Sequence, residues 1–138
     1  MGYRSEVVIA YQFNSRDALL SFFTEQKLKG NSATAEAIDE YDIVDYDKVY
    51  VAYAYFDWVK WYETFPDVLA HMTMYHNAND KGIGTLYIRI GEDLNDEEYD
   101  ENNNGDQSPD YMLHELFQIN RYLDISINDK KLVKLSTL

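Results

Sequence analysis

The chain has no cysteine. Disulfides, thiolate metal centres and a cysteine nucleophile are therefore excluded, and the composition fits a reducing compartment. Basic residues are scarce: 12 Lys and Arg stand against 25 Asp and Glu, giving a formal net charge of −13. A protein that tracks a phosphate backbone needs Lys or Arg along the path, so this balance argues against direct nucleic-acid binding. No run approaches the roughly 20 apolar residues of a membrane span. The opening MGYRSEVVIAYQF holds no long apolar region with a cleavage site, and Glu6 stands where a myristoylation motif requires Ser or Thr. A cytoplasmic protein without a membrane partner is the expectation. P-loop, GxGxxG, GxSxG and HExxH patterns are also missing, and there are no internal repeats.

What is present is a length suited to one domain, 138 residues with 46% hydrophobic content. Aromatics make up 15%, and 13 of them are Tyr. Tyr buries a ring while its hydroxyl needs a partner, which suits half-wet sheet faces and interfaces. Charge is unevenly spread. Nine acidic residues and no Lys or Arg lie between Glu92 and Asp110. Such a segment repels phosphates and attracts cations and basic protein surfaces.

Glu6 to Phe13 alternates between two apolar sets and reads as a central strand. Asn14-Ser15 offers a cap for a helix over 16–28, with Leu19, Phe22 and Phe23 on one face and Gly30 after its end. Residues 35–43 are ambiguous between strand and helix. The strand is favoured, because a turn at Asp45–Asp47 and the strong strand Val49–Phe56 then make a hairpin. Ala52 and Ala54 would let a helix approach one face closely. Helical spacing of Trp61, Phe65, Val68, Leu69, Met72 and Tyr75 predicts a helix over 58–77, with Thr64 and Asp67 at capping-box spacing and Pro66 in the first turn. Thr85–Ile90 alternates as a strand. A flexible acidic loop is expected over about 92–113, then a last strand over Leu116–Ile127, antiparallel to 84–91. The fold class is α+β: a ferredoxin-like sandwich, β-α-β-β-α-β plus one extra C-terminal strand. Two helices would cover one face of an antiparallel sheet and leave the other partly open. A different α+β arrangement with 33–41 helical is the alternative.

Three segments carry a resemblance to a known group: Gly2-Tyr3-Arg4-Ser5-Glu6-Val7 entering a strand, Val59-Lys60-Trp61-Tyr62 followed by Phe65-Pro66-Asp67-Val68, and Ile88-Arg89-Ile90-Gly91-Glu92-Asp93 leading into an acidic run. In order and spacing they resemble a group of small bacteriophage and prophage proteins of uncharacterised activity. The resemblance spans roughly residues 2–100 and implies a virus-encoded protein acting inside a bacterial cell. It supplies no reaction and no site residues. The DENNNGD stretch and the Tyr-rich second half depart from it.

Several candidate sites follow from the residues. Asp100, Asn102, Asn104, Gly105 and Asp106 match the first half of a calcium loop, where alternate oxygens and a Gly turn wrap one cation. Tyr111 stands where the bidentate Glu belongs, so any Ca²⁺ site would be weak and a solvated loop is the simpler reading. No other cofactor is expected. His71 and His76 read as helix-surface residues, and His114 beside Glu115 is a poor general base if both lie on one strand. Nothing marks a desolvated carboxyl pair, so no catalytic residue is assigned. Tyr53 and Tyr55, with Tyr11 nearby, would form an aromatic platform. Arg89 and Arg121 would face each other across the last hairpin. The leading expectation is a non-enzymatic phage accessory protein. It would bind a host protein with a basic surface through Asp96, Glu97, Glu98, Asp100 and Glu101 together with Tyr53 and Tyr55. A self-associating assembly protein, dimerising through an open sheet face, and a DNA mimic that inhibits a DNA-binding enzyme are the alternatives.

Overall fold

A computed structural model of the protein describes residues 3–93, 95–105, 110–120, 122–127 and 132–135. Among these residues the fold is α+β, with a six-stranded antiparallel sheet and four helices. β1 (Ser5–Phe13) is central. β3 (Tyr50–Val59) flanks it on one side and β4 (Gly84–Gly91) on the other, both antiparallel to it. β2 (Asp42–Asp45) lies beyond β3, and β8 (Leu132–Lys134) forms that edge. β5 (Glu97–Asn102) forms the other edge beside β4. The order is β5-β4-β1-β3-β2-β8. β1 is buried on both faces, as its unbroken apolar sequence requires.

The odd-numbered residues of β1 (Val7, Ile9, Tyr11, Phe13) face three helices. α1 (Arg16–Lys29) begins at Ser15, whose hydroxyl accepts from the Ala18 N–H, and contributes Leu19, Phe22 and Phe23. Gly30 follows its end as the C-cap, where a Cβ would stand 2.4 Å from the Thr34 hydroxyl oxygen. α2 (Ser32–Ile38) is closed by a capping box between Asn31 and Thr34. The strand expected over 35–43 is therefore a helix followed by the short β2. The Asn31 cap decides the matter, and the expected hairpin survives only as β2–β3. α3 (Pro66–Asp80) lies over the same face, where Ala52 and Ala54 are buried and leave it room.

The helix expected over 58–77 starts late. β3 continues to Val59, and its pairing slips between Ser5↔Val59 and Val7↔Phe56, so β3 carries one extra residue. Trp58, at φ 59°, lies in that bulge. Pro66 is the first helical residue, where its missing N–H is harmless. The N-cap is Phe65 without a side-chain bond, and Asp67 accepts from the Val68 N–H, so the Thr64–Asp67 capping box does not form.

The second face is covered. α4 (Leu113–Leu116) and the hairpin of β6 (Phe117–Asn120) and β7 (Tyr122–Ile125) pack over Val8, Ala10, Val51, Leu86 and Ile88. The single strand expected over 116–127 is thus a helical turn plus a separate two-stranded sheet, and the partly open face expected for dimerisation is occupied. Glu6 fastens this cover by accepting from the Leu123 N–H. The C-terminal segment completes the β2 edge, and Lys134 pairs with Asp42 at 2.7 Å. Among the described residues no helix is long and apolar enough to cross a membrane.

Candidate functional site

The segment expected as an acidic loop contains β5, which turns a charge run into an ordered row on the edge of the sheet. A tight reversal precedes it: the Gly91 N–H donates to the Asp96 carbonyl at 2.8 Å, and Asn95 adopts φ 71°. Arg89 organises this reversal. Its guanidinium reaches both Asp96 oxygens, at 2.7 and 3.2 Å, as well as Glu98 and the Ser5 hydroxyl. The Tyr3 hydroxyl donates to Asp96 at 2.5 Å and accepts from the Asp93 N–H at 2.8 Å. Glu92 accepts from the Arg4 N–H. Arg89 above all, and Tyr3 after it, hold the Asp96 carboxyl below its usual range. The Asp96 contact in turn raises the Arg89 pKa further. A Cβ at 91 would lie 2.1 Å from Asp96 Oδ2 and 2.3 Å from Tyr3 Oη, so any larger residue would displace those two side-chain ends.

Further along β5 the alternation sends carboxylates to both faces. Asp100 turns to the helix side and accepts from Tyr75 at 2.5 Å. Glu101 turns to the other face. It accepts from Tyr111 at 2.7 Å and from Tyr99 at 3.2 Å, and lies 3.5 Å from His114 Nδ1. Glu97 is exposed. Tyr99 is half-exposed, and burial, then the Glu101 charge, push its hydroxyl up to about 12. β5 is the last strand on its side of the sheet, so its outer backbone groups have no strand partner among the described residues.

The structure divides the expected partner-binding set. Asp96, Glu97, Glu98, Asp100 and Glu101 come together at the β5 edge. Tyr53 and Tyr55 sit on β3, three strand spacings or about 14 Å away. Tyr53 packs on Phe117, and the Tyr55 hydroxyl donates to Glu6. Tyr11 lies on the opposite face and is fully buried, so the three-Tyr platform does not exist. Tyr99 is the aromatic that accompanies the carboxylates. Its place in EEYDEN, alternating with charges, was the available signal, hidden by reading the whole stretch as loop.

Asp100 and Asn102 belong to a strand rather than a wrapping loop. Asn102 accepts from the Asn104 N–H at 2.9 Å, and the Asn104 amide donates to the Ile83 carbonyl. Asp106 lies outside the described residues, as does Arg121. Among the described residues no three His, Cys, Asp or Glu side chains are grouped to hold a metal. His76 is exposed, but His71 is not a surface histidine: it is 3% exposed, with Nδ1 3.2 Å from the Tyr41 hydroxyl. Burial holds it well below the usual histidine range, at about 4, against the opposing pull of Asp67. His114 stands on α4 against Tyr111 and Glu101, not on a strand.

Comparison with known protein families, with curated proteins and with solved structures finds no match to this chain.

Proposed function

We propose that this chain is a non-enzymatic accessory protein that binds a partner protein with a basic surface, and that β5 is the contact edge. The observation that carries the reading is the ordering of the charge. Glu97, Glu98, Asp100 and Glu101 project from a strand whose outer edge has no strand partner among the described residues, and Tyr99 stands among them. Fixed carboxylates cost a partner less ordering entropy than a loose tail would, and their field speeds encounter with a basic surface. Tyr99 adds rigid contact area. The phage resemblance sets the proposed partner in a bacterial host cell and the proposed compartment in its cytoplasm. A ferredoxin-like sandwich is the proposed core. Its support is the order β4-β1-β3-β2, with α1 and α3 in the two crossover connections and β5 and β8 as additions at the edges.

Capture from bacterial lysate tests this reading. The protein should retain a partner at low salt and release it at high salt, and the double variant Glu97→Lys/Tyr99→Ser should retain none. Failure of the native protein to hold any host protein at low salt removes the basis of the proposal.

A further inference from the structure

A second locus, away from β5, combines a small pocket, an aromatic wall, a ring of carboxylates and a buried histidine. Between α2, α3 and the end of β3 lies a pocket of about 160 Å³, well below the several hundred Å³ that a nucleotide or drug-sized ligand fills. Its wall is aromatic. Phe56, Trp61 and His71 pack against one another with ring centroids 5.1–5.8 Å apart. Its mouth carries Glu36, Glu40 and Asp67, all exposed, which outweigh the single ammonium of Lys60. The β3 bulge makes this wall, because it brings both Phe56 and Val59 to the helix side of the sheet.

His71 supplies the directional element. It is 97% buried, and its ring lines the pocket. The Tyr11 hydroxyl is buried, and its one partner among the described residues is the Tyr41 hydroxyl, at 3.4 Å; either oxygen can donate there, and the arrangement that places every proton has Tyr11 as donor. Tyr41 then donates to His71 Nδ1. In the neutral ring that arrangement places the remaining proton on Nε2, which has no partner among the described residues. That N–H therefore awaits an acceptor at a pocket whose other chemistry suits a cation.

We propose that this pocket binds a small organic ammonium ion bearing a hydroxyl, of which choline is the simplest form. The alkylated nitrogen would sit against the Trp61 and Phe56 rings, where the ring quadrupoles attract a cation. Glu36, Glu40 and Asp67 would balance its charge without dehydrating fully. The ligand oxygen would accept from His71 Nε2–H. Because burial keeps His71 uncharged near neutral pH, no imidazolium opposes the cation.

The test is a titration of the protein with three probes, followed by amide and indole NMR shifts: choline, tetramethylammonium, and the neutral isostere 3,3-dimethylbutan-1-ol. Choline should shift His71 and the Trp61 indole and bind at least about tenfold more tightly than the isostere. Tetramethylammonium, lacking the hydroxyl, should fall between them. Glu36→Gln/Glu40→Gln, at exposed positions, should weaken choline severalfold and leave the isostere unchanged. Equal binding of choline and the isostere overturns the proposal. So does the absence of any shift at millimolar choline, or shifts confined to β5. Each result is independent of partner capture by the β5 edge.

Discussion

The helix side of the sheet and the β5 edge are built on opposite principles. On the helix side, Tyr11, Phe13, Phe22, Phe23 and Tyr41 pack with centroids 5.1–6.4 Å apart, and even the hydroxyls are dry. At the edge, order comes from Arg89 gripping Asp96 and Glu98 and from Tyr hydroxyls reaching carboxylates. The first region is held by non-directional burial, which scales with area. The second is held by directional, half-solvated contacts worth little one at a time. The body therefore supplies stability and the edge supplies a shaped, replaceable charge pattern.

The contrast is broken most severely in the core. Tyr11→Ala should lower unfolding stability by about 3–5 kcal/mol in urea titration, since it empties the centre of the aromatic cluster and takes away one of the two hydrogen-bond partners of the Tyr41 hydroxyl. A cost below 1 kcal/mol would deny the cluster its role. Next comes pH. The folded protein resists protonating His71, whereas the unfolded chain takes up that proton near the ordinary value. Between pH 6.5 and about 4 the unfolded state binds more protons, so stability is full above 6.5 and declines as pH falls through that window. The loss should be on the order of 3 kcal/mol by pH 4. His71→Gln should flatten this part of the profile relative to the native protein. An unchanged slope would assign the effect to carboxylates instead.

Two substitutions sharpen the edge. Gly91→Ala puts a methyl against the side-chain ends of Asp96 and Tyr3, which must swing aside, and should cost about 1 kcal/mol, with chemical-shift changes gathered at residues 3–5 and 89–98. Arg89→Met should cost global stability only ~1 kcal/mol. Its signature is local: β5 amides should exchange with solvent faster while β1 amides keep their protection. Uniform loss of protection across the sheet would mean that edge and body are one cooperative unit.

Much of the body was legible in the chain. The two-sided apolar run at 6–13 marked the central strand, Ser15 and Gly30 bracketed α1, and Ala52 with Ala54 marked the helix-facing side of β3. Three local features were misread. The Asn31–Thr34 cap made a helix where the turn at 45–47 and the strand after it suggested a hairpin partner, the bulge at Trp58 carried β3 past its expected end, and the cover on the second face was taken for a sheet strand. At the edge, the charges were plain and their order was not. Glu, Asp and Asn have weak strand propensity, so 97–102 reads as loop until β4 offers a ladder and Arg89 a counter-charge.

Sequence alone determined what the protein is made to bury and what it must keep wet, because alternation, caps and charge density act over a few residues. Tertiary structure decided which carboxylates become a surface and which histidine becomes an interior group. The first outcome depends on partners 80 or more residues apart, such as Arg89 with Ser5 and Tyr3 with Asp96, and the second on Tyr41, 30 residues from His71. No local pattern encodes a register between strands that distant.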